Sequence, residues 1–150
     1  MSTLVMGTGN DLLGDDSLGF HVLNKLRSYP LPPGIDTLYI GVDSTRINRG
    51  FIKYDRIIVI DAVESIGKIG DIYLLPAGKI PRQPRPYSLH DITWREMLDM
   101  LKLADRSYLF GIESTALTNR EVLNPIIQGK FDYYAAVLYK LLTTNPAVSG

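Results

Sequence analysis

Arg56-Ile57-Ile58-Val59-Ile60-Asp61-Ala62-Val63 is the most telling stretch of this 150-residue chain. An almost unbroken Ile/Val run of this length suits a central parallel strand that is covered on both faces. The run closes on a carboxylate, Asp61, and burying one is costly unless it is paired or bound to a metal. The stretch therefore predicts both a buried sheet and a chemically loaded edge.

Working outward, Thr3 to Gly7 is a short apolar run ending in Gly-Thr-Gly and predicts the first strand. From Asp15 to Leu26 the residues Leu18, Phe20, Val22, Leu23 and Leu26 recur at helical spacing, with Asp15 or Asp16 as the expected cap. Pro30, Pro32, Pro33 and Gly34 stop that helix. Ile35 to Val42 is the second expected strand and Gly70 to Leu75 the fourth. Only Glu64 to Ile69 separates the third strand from the fourth. A parallel crossover needs a dozen or more residues, so the fourth is expected antiparallel to its neighbour.

Ala77 to Tyr87, with Pro81, Pro84 and Pro86, reads as loop. Thr93-Trp94-Arg95-Glu96 is a capping-box pattern that predicts a helix to about Leu103. Ser107 to Ile112 is the fifth expected strand. A last helical region begins near Asn119, is interrupted at Pro125 and Gly129, and resumes from Phe131 to about Thr143. The pattern predicts one domain over residues 1–150. Its architecture is a three-layer α/β/α sandwich with a mostly parallel twisted five-stranded sheet and one antiparallel strand.

Composition narrows the function. Hydrophobic residues make up 45% of the chain and charged ones 21%, which is globular and not disordered. Sixteen basic and 16 acidic residues cancel, so no basic excess is available to neutralise nucleic-acid phosphates or a membrane surface. No cysteine is present, which excludes disulfides, thiolate metal sites and a thiol nucleophile. Met1 to Gly7 lacks the basic start and apolar length of a signal peptide. No window approaches the roughly 20 apolar residues of a membrane span. A soluble cytoplasmic protein is expected.

In parallel α/β sheets ligands bind beyond the carboxyl ends of the strands. That rule selects Asp11, Asp15 and Asp16 after the first strand, Asp61 and Glu64 at the end of the third, and Glu113 at the end of the fifth. His90 lies in the loop before the Trp94 helix. The turn Gly7-Thr8-Gly9 could serve a nucleotide-binding module, but a phosphate loop presents N–H groups to an anion. Three aspartates fill this mouth, and no basic residue appears before Lys25. The acidic mouth favours a cation.

Each residue also has an ordinary role open to it. Asp16 could be a cap, His90 a surface or capping group, Glu64 and Glu113 members of ion pairs, and His21 a structural helix residue. The basic, Pro-rich stretch Gly78 to Pro86, with Lys79, Arg82 and Arg85, reads either as a solvated connector or as a docking lip. Two carboxylates, Asp16 and Asp61, and the His90 imidazole would arrive at one edge of one sheet, which raises the case for a cation site. Mixed oxygen and imidazole donors suit Ni, Zn or Fe better than Mg or Ca.

These residues also carry a resemblance that runs in order along nearly the whole chain. Gly7-Thr8-Gly9-Asn10, Leu12-Leu13-Gly14-Asp15-Asp16 and Gly19 resemble the opening of the [NiFe]-hydrogenase maturation endopeptidases. Tyr54 to Val63 continues the match, followed by Gly70 with its strand, Ser88-Leu89-His90, and Leu109-Phe110-Gly111-Ile112-Glu113. The resemblance implies an enzyme that removes a C-terminal peptide from the hydrogenase large-subunit precursor after nickel insertion. It implies that Asp16, Asp61 and His90 contact the metal and serve catalysis. The nickel then belongs to the precursor, and no permanent cofactor is implied. The expected working state is a monomer in transient complex with that precursor.

Alternatives from the same resemblance are a related α/β peptidase with another precursor and a non-catalytic chaperone that senses metal loading. Two departures stand out. Tyr39-Ile40-Gly41-Val42-Asp43-Ser44 replaces the family's Asp-Gly-Gly-Thr-like stretch, with only Gly41 matching, and Ile69-Gly70 replaces its usual Pro-Gly. Position 16 is aspartate where glutamate is the longer option.

Overall fold

The Ile/Val run forms β3, Arg56–Val63, at the centre of a five-stranded sheet in the computed structural model. The structure describes residues 1–10, 14–63, 67–80, 93–114 and 123–144. The other strands are β1 (Thr3–Thr8), β2 (Ile35–Gly41), β4 (Ile72–Pro76) and β5 (Ser107–Glu113). Their order is β2-β1-β3-β5-β4. β1 pairs in parallel with β2 and β3, and β3 pairs in parallel with β5. Among the described strands only β4 runs antiparallel, against β5. The expected orientation of the fourth strand holds, but its partner is β5 and not β3. The short β3–β4 connection skips a strand position that β5 later fills.

Alternation along β3 explains why both faces are covered. Ile58 and Ile60 join Val5, Phe110 and Ile112 in one buried cluster, packed by α1 (Leu18–Leu26), α3 (Pro125–Gln128) and α4 (Phe131–Thr143). Ile57 and Val59 join Leu4, Met6 and Ile40 in the other, beneath Met97 and Leu98 of α2 (Trp94–Met100). Ile47, Phe51 and Tyr54, in and around two 3-10 segments after β2, complete that second face. The α/β/α layering expected from sequence is therefore present.

Three local expectations are corrected or sharpened. Ser17, not Asp15 or Asp16, occupies the residue before α1, and it makes no side-chain cap bond. A 3-10 turn over Gly14–Ser17 leads straight into the helix instead. Pro125 opens α3, with the Asn124 side chain accepting from Ile126 N at 2.9 Å, because proline suits the first helical position; the helical start expected near Asn119 lies outside the described residues. Gly70 lies ahead of β4 at φ +91°, a turn conformation favourable to glycine.

The Gly70 turn is pinned from below. The buried Tyr134 of α4 donates its hydroxyl to the Gly70 carbonyl at 2.8 Å. Tyr134→Phe is expected to cost roughly 1–2 kcal/mol, because it leaves a buried carbonyl without its donor. Thermal unfolding checks this, with an expected fall of about 2–4 °C per kcal/mol for a domain of this size. An unchanged midpoint would show that the bond does not hold the turn.

Candidate active site

At the carboxyl end of β3 the chain turns from hydrophobic packing to oriented polar groups. Asp61 lies two positions beyond Val59 and so falls on the α2 face of the sheet. Among the described contacts, two N–H donors hold its carboxylate. Ala62 N donates to Oδ1 at 2.9 Å, and the Trp94 indole Nε1 donates to Oδ2 at 2.9 Å. The first donor belongs to the strand itself. The second arrives from α2, which starts in a complete capping box. There Glu96 N donates to the Thr93 hydroxyl at 3.3 Å, and Thr93 N donates to Glu96 Oε2 at 3.0 Å.

The β1 side of this edge is built by close backbone approach. The Thr8 hydroxyl donates to the Ile60 carbonyl at 3.0 Å. Gly19 of α1 lies directly under that junction, where an added Cβ would sit 2.3 Å from the Thr8 carbonyl oxygen. The 3-10 turn that carries Asp16 consequently packs against β3. Gly9, at φ +96°, ties this exit to β2 through its N–H bond to the Gly41 carbonyl at 2.9 Å. Tyr39 adds a hydroxyl bond to the Gly9 carbonyl.

On the β5 side, Gly111 sits beside Asp61 in the parallel register, and Glu113 sits beside Val63. Glu113 is only 2% exposed. Its Oε1 accepts from Gly67 N at 3.1 Å and from the Tyr73 hydroxyl at 3.0 Å. Its backbone also pairs with Gly70 and Asp71. Glu113 thus knits the β3–β4 connection to the edge of the site. An added Cβ at Gly67 would lie 1.8 Å from the Tyr73 hydroxyl oxygen, so a larger residue there would displace the end of the Tyr73 side chain from Glu113.

A family model described as hydrogenase maturation protease (HycI) matches residues 20–133. The chain belongs to the hydrogenase maturation protease family. A Methanocaldococcus jannaschii protein, provisionally named a hydrogenase maturation protease, is 30% identical over 80 residues. That alignment takes in 52% of each chain, so it spans about half the length of this curated relative. Two solved structures share the fold. The [NiFe] hydrogenase maturation protease HycI of Thermococcus kodakarensis KOD1 superposes with a TM-score of 0.73 at 21% identity, over 95% of this chain and 93% of its own. The hydrogenase maturating endopeptidase HYBD of Escherichia coli gives 0.72 at 21% identity, over 92% and 90%.

Within this family member, Asp61 and position 90 fall inside the matched segment, whereas Asp16 precedes it. The structure brings the Asp61 carboxylate and the turn bearing Asp16 to the same sheet edge. The Asp16 side chain, His90, Glu64 and Asp11 lie outside the described residues. His21 is structural, as its sequence position suggested. Its ring stacks on Phe131 with centroids 4.8 Å apart. Of the basic stretch, Lys79 is exposed beside an open groove of about 630 Å³ that also involves Asp99, Lys102 and Asp105, while Arg82 and Arg85 lie outside the described residues.

Trp94 and Tyr73 were not singled out as site residues from sequence. Trp94 could have been noticed, because an indole N–H at a helix start near a sheet edge needs an acceptor when partly buried. A raised tyrosine pKa occurs elsewhere, and serves the fold. Burial and the Asp36 carboxylate, 2.6 Å away, push Tyr54 up to about 12 near the opposite end of β3.

Proposed function

We propose that this chain is an endopeptidase that removes the C-terminal peptide of a [NiFe]-hydrogenase large-subunit precursor once nickel is installed. The observation that carries the reading is the Asp61 carboxylate. It stands at the ligand-binding end of the central strand, inside the family match, with both oxygens aimed by N–H donors. Asp16, Asp61 and His90 are the proposed contacts to the precursor's metal. The chain from His90 to Trp94 is four residues, a reach of at most about 14 Å, which supports a shared edge.

In this reading the nickel arrives as part of the substrate, and no resident cofactor is required. Asp16, Asp61 and His90 would contact that metal, which would supply Lewis-acid chemistry by polarising the scissile carbonyl or lowering the pKa of a water. The water oxygen adds to the carbonyl carbon while a site carboxylate takes its proton. The C–N bond then breaks, and the proton passes to the departing amine. Roles within the carboxylates are not divided further. The proposed partner is the precursor, met by a monomer in transient complex in the cytoplasm. In keeping with this, no helix among the described residues is long and apolar enough to cross a membrane.

Incubating the protein with large-subunit precursors, with and without nickel, tests the proposal by mass spectrometry. Loss of a short C-terminal peptide only from nickel-loaded precursor is expected. An intact precursor held in a nickel-dependent complex would point to a metal-sensing chaperone instead. Undiminished cleavage by Asp16→Ala and His90→Ala variants would reject the assigned site.

A further inference from the structure

The contact between Asp61 and α2 does more than pack the fold. An indole nitrogen can only donate, and that of Trp94 finds its acceptor 33 positions away, on the one carboxylate that closes the central strand. The two described donors to Asp61 differ in what they can control. Ala62 N is the next residue of β3 and moves with the strand. Trp94 belongs to another element, so its bond sets the carboxylate's rotation relative to the rest of the edge.

That second element is itself locked. Glu96 Oε2 accepts from both the Thr93 N–H and the Thr93 hydroxyl, at 3.0 and 2.9 Å, while Glu96 N donates back to Thr93. Trp94 is the first helical residue after this cap. Its ring packs against the buried cluster that contains Met97 and Leu98. A donor fixed by capping on one side and by core packing on the other has little freedom to follow a wandering carboxylate. Such rigid support is what a precise ligand geometry needs.

We propose that Trp94 is a positioning residue that holds the Asp61 carboxylate in the orientation required to meet the precursor's metal. This rests on the site reading given above. Partners of this kind, behind a metal-contacting group, typically influence affinity or activity by about 10–100-fold. Trp94→Phe keeps an aromatic ring against the core while removing the N–H together with part of the indole's volume. It is expected to lower kcat for nickel-loaded precursor by about 10–100-fold.

The chain contains a single tryptophan, so an ¹⁵N-labelled sample gives one indole N–H resonance without ambiguity. That resonance is expected to shift when Asp61→Ala removes the acceptor, in protein with no precursor present. A resonance unmoved by Asp61→Ala would overturn the proposal even if Trp94→Phe failed to fold. An inactive Asp61→Ala beside a Trp94→Phe with wild-type kcat would sink the positioning role while leaving the site reading intact. Continued cleavage by Asp61→Ala would overturn both.

Discussion

Asp61→Ala is expected to lower cleavage of nickel-loaded precursor by roughly a thousandfold while the protein remains folded. The magnitude follows from what the residue is asked to supply. A metal held correctly against a scissile carbonyl contributes several kcal/mol of transition-state stabilisation, and about 4 kcal/mol corresponds to roughly three powers of ten in rate. The structural penalty is smaller. Asp61 is partly buried and accepts two described N–H bonds, each contributing about 1 kcal/mol net. The thermal midpoint should therefore drop by only a few degrees, at about 2–4 °C per kcal/mol. Asp61→Asn sharpens the test, because it preserves shape and removes the charge. Single-turnover cleavage read by mass spectrometry, beside a thermal melt, separates the two effects. A variant that cleaves within a few-fold of wild type would remove Asp61 from the mechanism.

How much of this was legible beforehand depends on the range over which each feature is decided. The Ile57–Ile60 run announced a doubly covered strand because burial on both faces leaves no room for polar alternation. Thr93 and Glu96 announced a helix start because a capping box is made within four residues. The partner of β4 was not legible. Its short connection to β3 sets direction, but β5, which intervenes, comes about thirty residues later. The Trp94–Asp61 bond was hidden for the same reason, as it depends on where α2 lands and not on local spacing. The pattern suggests Asp15 or Asp16 as a cap, because acidic residues before an apolar helix cannot distinguish a capping residue from a preceding 3-10 turn. The described side-chain bonds of Glu113, to Gly67 and to Tyr73 of β4, depend on where the β3–β4 connection lands and leave no local pattern in the sequence.

The fold's least tolerant position is expected to be Gly19, although helix propensity alone says the opposite. Gly19 lies within α1, where replacing glycine by alanine in an exposed helix would stabilise by about 1 kcal/mol. Here the new methyl would lie 2.3 Å from the Thr8 carbonyl oxygen, 2.7 Å from Thr8 N and 2.8 Å from the Ile60 carbonyl oxygen. All three are backbone atoms of adjoining parallel strands, so no side chain can swing aside. Gly7 lies at the same crossing, where an added Cβ would fall 2.7 Å from the Gly19 carbonyl oxygen, so the helix and strand backbones approach closely from both sides. Overpacking a core typically costs about 1–3 kcal/mol, and a clash against rigid backbone belongs at the top of that range or beyond it. Sterics outweigh propensity, and Gly19→Ala should lower the thermal midpoint by roughly 6–12 °C for a net loss of about 3 kcal/mol. The damage reaches the chemistry too. Relief of the clash requires α1 to lift from β1 and β3, which carries the 3-10 turn Gly14–Ser17, and with it Asp16, away from the end of the Asp61 strand. Residual folded protein should therefore cleave poorly even well below its midpoint. A Gly19→Ala variant that melts at or above the wild-type temperature would show that the helix does not rest on the strands as described.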